Sequence, residues 1–206
     1  MALINLEAFR TAAMATEPFK YTVVPAFLNT DEAQAVRRDF PEIEHAGLYP
    51  VEATSPGPKF QALIHELTSP RVTAAFSEKF DVDLTNRPTM ITLRGRCQVK
   101  DGRIHTDSEA KLLTALLYFN DGWEAGGGRL RLLRSDDIND VIAEVPPNLG
   151  TLIAFKRSDK SFHGHEPYVG VRRYVMINWM TSGLAAQREL MRHKLSAQTK
   201  KVLNYA

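Results

Sequence analysis

The 206-residue sequence has one cysteine, Cys97, no long apolar block and almost no excess of either charge. A lone thiol has no partner for an internal disulfide, which fits a reducing compartment. Cys97 is expected to be a packed or idle thiol rather than a nucleophile. The longest apolar stretch falls far short of a bilayer span, so no membrane association is expected. A net charge of +2 gives no reason to expect a general nucleic-acid binder or an acidic substrate. The start, MALINLEAFRTAAMATEPFK, carries Glu7 early and no apolar core, so it does not read as a secretory signal and a cytoplasmic location is expected. Internal repeats, low-complexity tracts and obvious linkers are also lacking. Gly126-Gly127-Gly128 has no Gly-Lys-Ser/Thr after it, so it is not a phosphate loop and is expected to be a tight turn into the next strand. His45, His65 and His193 have no partners at ligand spacing.

What remains is ordinary globular material, 44% apolar and 24% charged, on a chain long enough to bury a real core. One domain over 1–206 is expected. The first part reads as helical support. YTVVPAFL (21–28) is a short strand-like run, and Asn29 with Glu32 forms a capping signature before Ala33, Val36 and Phe40 at helical spacing. KFQALIHEL puts Phe60, Leu63, Ile64 and Leu67 on one stripe. Ser69-Pro70 is a cap followed by proline at the first helical position, and Val72, Ala75 and Phe76 turn inward behind it. From about residue 87 the rhythm changes to short strand-like pieces: PTMITLRG, GRIHTD, KLLTALLYFN, GGRLRLL, DVIAEV, GTLIAF, SFHGHEPYV and RRYVMINWM. That spacing predicts a sandwich or jelly roll rather than a parallel α/β sheet. GLAAQRELMRHKLSAQTKKVL (183–203) returns to helix, its basic residues Arg188, Arg192, Lys194, Lys200 and Lys201 forming a solvated face.

Chemistry concentrates in DGRIHTDSEAKLLTALLYFNDGW (101–123). On an extended chain His105 and Asp107 point the same way, because strand side chains alternate faces. The pair suits a metal ion or an ordinary polar turn. SFHGHEP (161–167) offers a third ligand near the far end of the β region. Two imidazoles and one carboxylate suit non-heme Fe(II) and leave coordination positions open. In the last strand, Arg173, Val175, Ile177 and Trp179 share one face, and Arg172, Tyr174, Met176 and Asn178 share the other. The first set is the more apolar and is expected to face the core. An arginine on an inward face needs an anion, which a bound dicarboxylate or a buried acidic side chain would supply.

HTD, KLLTALLYFNDGWEAGGGRLRLL and SFHGHEPYVGVRRYVMINW together resemble the Fe(II)/2-oxoglutarate-dependent dioxygenases, most closely their prolyl-4-hydroxylase-like branch. The resemblance covers roughly residues 87–181. It implies an α+β fold with a mainly β core: a double-stranded β-helix (jelly roll, cupin-like) over 87–181. Helical support with one edge strand over 1–86 and a C-terminal helix over 182–206 complete it. Carried across by motif position, the resemblance makes His105, Asp107 and His163 the iron ligands. His163 is preferred to His165 because Pro167 and Arg173 match the family from that position. Arg173, with Trp179 six residues beyond, takes the place of the 2-oxoglutarate arginine, although Gly170-Val171-Arg172 nominates Arg172. Tyr118 matches a tyrosine that helps bind the far carboxylate of 2-oxoglutarate; a core tyrosine is the alternative. Phe119 departs harmlessly from the usual leucine. Fe(II), 2-oxoglutarate and O₂ are the implied cofactors, with ascorbate as an optional addition. Oxidative decarboxylation of 2-oxoglutarate to succinate would be coupled to C–H hydroxylation of a peptidyl residue or small molecule. The same residues also admit a Zn-dependent hydrolase or a non-catalytic cupin-like binding protein. No nucleic-acid partner is expected.

Overall fold

A computed structural model describes residues 2–191. Its β-strands form two sheets. Six strands, β1 (Tyr21–Val24), β2 (Tyr49–Pro50), β3 (Thr89–Cys97), β4 (Lys111–Tyr118), β7 (Leu152–Lys156) and β9 (Gly170–Met180), pair in the order β1-β7-β4-β9-β3-β2. A smaller sheet joins β5 (Leu130–Leu133), β6 (Val141–Val145) and β8 (His163–Gly164) in the order β6-β5-β8. Every named pair is antiparallel. The two sheets form the jelly roll that the strand spacing predicts.

Helices α1 (Leu6–Thr11), α2 (Thr30–Arg38), α3 (Pro58–Leu67) and α4 (Pro70–Phe80) cover one face of the large sheet. Their stripes fold as the spacing requires: Phe60, Leu63 and Leu67 of α3 and Val72, Ala75 and Phe76 of α4 are buried. Ser69 caps α4 by accepting a hydrogen bond from the Val72 amide at 3.3 Å. Asn29 precedes α2 without capping it; its amide donates instead to the Ala2 carbonyl at 2.6 Å and ties down the N-terminal segment. Residues 183–191 are helical. The rest of the expected C-terminal helix, with Arg192, Lys194, Lys200 and Lys201, lies outside the described residues. Among the described residues no helix is long and apolar enough to cross a membrane.

Strand alternation sorts the large sheet into two buried faces. Leu113, Ala115 and Leu117 of β4 and Val175, Ile177 and Trp179 of β9 pack on the helices, with the Trp179 ring 4.8 Å from that of Phe76. Leu116 and Tyr118 of β4 and Tyr174 and Met176 of β9 face the small sheet, where they meet Leu130, Leu132 and Val145. Aromatic and aliphatic burial on both faces supplies the hydrophobic stabilisation. The inner face also makes the wall of a cavity.

Two strand-like segments of the sequence form less regular structure than the alternation suggests. GRIHTD makes one antiparallel bridge, His105 to His163, and SFHGHEPYV keeps only the two residues of β8. Their backbones turn to present polar side chains to the cavity.

Candidate metal centre

The His105–His163 bridge builds the site. His105 N–H donates to the His163 carbonyl at 3.1 Å, and His163 N–H donates back at 3.0 Å. Directly opposed residues of an antiparallel pair bring their side chains together, and the two imidazole centroids lie 4.3 Å apart. Asp107, two residues past His105, points to the same place. One donor atom from each of His105, Asp107 and His163 lies within 4.8 Å of the others. His163 and Asp107 are buried, while His105 is exposed at the mouth.

The imidazoles are oriented for donation. Nδ1 of His105 lies 2.9 Å from the Arg103 carbonyl, and Nδ1 of His163 lies 2.9 Å from the Ser161 carbonyl. A carbonyl only accepts, so both Nδ1 atoms carry protons and both Nε2 lone pairs stay free. Burial pushes the His163 imidazole down to about 4, although facing Asp107 opposes the shift. It is therefore neutral near pH 7, the form that ligates. Burial by itself would raise the Asp107 carboxyl. Lys111 and His163, with hydrogen bonds from Lys111 and Thr114, outweigh burial and hold it at about 2. Two imidazoles that turn Nε2 toward the centre and an ionised carboxylate are a donor set that fits Fe(II).

The triad opens into a cavity of about 310 Å³, also lined by Leu48, Arg94, Leu116, His165, Arg172, Tyr174 and Met176. Three arginines line it, Arg103 exposed and Arg94 and Arg172 further in, and the two inner guanidinium groups differ. Arg94 is paired with Asp101 at 2.6 Å and donates to the Tyr174 hydroxyl at 3.0 Å. Arg172 is 2% exposed and belongs to no ion pair among the described residues. It donates from Nε to the Gly128 carbonyl at 2.7 Å and from Nη2 to the Tyr118 hydroxyl at 3.4 Å, and it lies over the Tyr118 and Tyr174 rings. Gly128, with φ of +76°, takes a left-handed conformation that suits glycine. A buried guanidinium without an anion is a costly arrangement unless a ligand completes it.

Residues 96–181 match the family model described as the 2OG-Fe(II) oxygenase superfamily. The match spans less than half of the chain and makes that segment similar to the superfamily. Fe(II), 2-oxoglutarate and O₂ are the cofactors of that superfamily, and the His105, Asp107 and His163 cluster lies within the matched segment of the chain. Its fold is similar to that of a prolyl-4-hydroxylase from Pseudomonas putida, with 17% identity, 86% of this chain and 93% of that one covered, and a TM-score of 0.55. It is also similar to a viral collagen prolyl hydroxylase from Paramecium bursaria Chlorella virus-1 in complex with 2-oxoglutarate, with 16% identity, 78% and 96% coverage and a TM-score of 0.54. HygX of Streptomyces hygroscopicus, with nickel and 2-oxoglutarate bound, gives 13% identity, 86% coverage of both chains and a TM-score of 0.50. No protein of curated function matches the chain.

Arg172, and not Arg173 as the sequence pattern suggests, lines the cavity. Arg173 does not face the cavity. Its face, with Val175, Ile177 and Trp179, turns to the helices, and at the strand end its side chain reaches a surface depression beside Arg37, Trp123 and Tyr168. Arg172 is the inward arginine. The face holding Arg173 is indeed the more apolar, but in a sheet covered on both sides that face packs on the helical layer. A register shift opposite Gly95, where β3 advances two residues from Arg94 to Arg96 and β9 three from Tyr174 to Val171, falls at these two arginines. Tyr118 is fully buried behind Arg172 and meets the cavity through it; burial raises its hydroxyl to about 12, against the pull of Arg172. His165 lines the cavity beside Arg172 and stands apart from the three-residue cluster.

Three residues at the site belong to no ligand motif in the sequence: Lys111 and Thr114, which donate to Asp107, and Asn178, which donates to Thr114. Alternation back from Tyr118 puts Thr114 on the inner face of β4. Lys111 carries no such signal.

Proposed function

We propose that His105, Asp107 and His163 hold Fe(II), and that Arg172 grips the far carboxylate of 2-oxoglutarate. The chain then hydroxylates a C–H bond of a peptidyl residue or small molecule. The observation that carries this reading is the unpaired, buried Arg172 in the same cavity as the triad. A planar guanidinium binds a carboxylate through two parallel hydrogen bonds, and a hydrolase would have no use for it here.

Bound there, Fe(II) with 2-oxoglutarate and O₂ supplies the decarboxylation to succinate and CO₂ that drives hydroxylation. The protein's own residues position and exclude. Arg172, held flat by Gly128 and Tyr118, sets the direction of the keto acid. Leu116, Leu130 and Met176 keep water from the inner wall. Asp107 keeps a carboxylate at the metal, which leaves no vacancy for halide and favours hydroxylation over halogenation. The single buried thiol fits work in a reducing compartment such as the cytoplasm.

The test is an anaerobic titration of Fe(II) and 2-oxoglutarate into metal-stripped protein. A weak visible charge-transfer band is expected. It should be lost in His163→Ala and Asp107→Ala and kept in His165→Ala. A colourless protein that retains Zn²⁺ through purification would refute the reading. Comparing peptides and metabolites for the gain of one oxygen, with and without ascorbate, would then identify the substrate.

A further inference from the structure

Asp107 is held by more than its backbone. Its Oδ1 accepts from the Lys111 ammonium at 2.6 Å, and its Oδ2 accepts from the Thr114 hydroxyl at 2.5 Å. Thr114 has its own anchor: its oxygen accepts from the Asn178 amide at 2.8 Å. That bond fixes the direction of the single hydroxyl proton, which is left to point at Asp107. The Lys111 side chain is one-tenth exposed, and Thr114 and Asn178 are more deeply buried. The Asp107 carbonyl is tied to Arg157 Nε at 3.2 Å. Each carboxylate oxygen therefore has one fixed donor and a lone pair to spare. The group cannot rotate without breaking a buried charged hydrogen bond.

We propose that Lys111 is a positioning residue: with the Thr114–Asn178 relay it clamps the Asp107 carboxylate, so that a metal ion meets one oxygen in one fixed direction. The inference rests on the metal-site reading above. With one donor on each oxygen the plane of the carboxylate is fixed, which sets the direction from which its spare lone pair meets the ion. The ammonium also balances the carboxylate before metal binds, so the site is formed in advance of its ion. Partners of metal ligands commonly tune affinity in this manner.

The test uses full-length, metal-stripped protein with Co²⁺ as the probe, whose visible d–d bands report coordination number and symmetry. Lys111→Met is expected to weaken Co²⁺ binding by about 10–100-fold and to change band positions and intensity. Lys111→Arg, which restores a charged donor, should recover most of both. Thr114→Val releases the other oxygen and should shift the spectrum in its own right, which keeps the idea open to test should Lys111→Met not fold. Far-UV circular dichroism and a thermal melt of the metal-free variants establish folding. Wild-type affinity and an unaltered spectrum in folded Lys111→Met and Thr114→Val would overturn the proposal while His163→Ala and Asp107→Ala still lost Co²⁺. Undiminished Co²⁺ binding in Asp107→Ala would overturn the metal reading and this inference with it.

Discussion

Replacing Arg172 by methionine removes the one buried guanidinium of the cavity that lacks an anion, while Arg173→Met changes a neighbour on the opposite face. Two charge-assisted hydrogen bonds to a carboxylate, buried in a site 2% exposed, are together worth about 3–5 kcal/mol. At about 1.4 kcal/mol per tenfold, that is a rise of roughly two to three and a half powers of ten in the Kd for 2-oxoglutarate. Arg173 is half-buried, outside any ion pair among the described residues, so its loss should stay within about 0.5 kcal/mol, a change of under about threefold. Arg172→Lys keeps the charge without the two-pronged geometry and should fall between. The assay is the anaerobic charge-transfer titration, with succinate release under O₂ as a second measure. Lost keto-acid binding in Arg173→Met beside normal binding in a folded Arg172→Met would refute the assignment of inward and outward faces.

Three further outcomes test the fold around the site. Gly102 has φ of +88° and its Cα faces the His165 ring, where an added Cβ would sit 2.4 Å from ring atoms. Gly102→Ala should destabilise by about 1–3 kcal/mol, seen in a urea melt, and should disturb the cavity wall; an unchanged midpoint would contradict it. Ser69→Ala removes the α4 cap and should cost about 1 kcal/mol, lowering Tm by roughly 2–4 °C in a chain this size. Trp179→Ala opens a hole between β9 and Phe76 and should cost about 3–5 kcal/mol, with the loss read by chemical denaturation.

Much of the site was legible because its parts are local. His105 and Asp107 stand two apart, the distal histidine lies in a short turn-rich segment, and the helical stripes of α3 and α4 follow from the spacing of Phe60, Leu63, Val72 and Phe76. Lys111 was not legible. It meets Asp107 because the backbone turns between Ser108 and Lys111, whose amide donates to the Ser108 carbonyl at 3.0 Å. Nothing in the residue types marks that turn as bringing an ammonium onto a carboxylate. Tyr118 was legible as an inward residue of β4, but its place behind Arg172 depends on how two non-consecutive strands pair, Tyr118 opposite Tyr174.

By itself the sequence determined the donor chemistry, the change from helical to strand rhythm and the division of β9 into two sets of side chains. A period of two sorts residues into faces but does not say what lies beyond each face. Only the tertiary structure decided that, by laying helices on the Val175–Trp179 side and a second sheet on the Tyr174–Met176 side. With both sides buried, apolarity no longer marks which one looks into the cavity, and the choice between Arg172 and Arg173 passed from composition to packing.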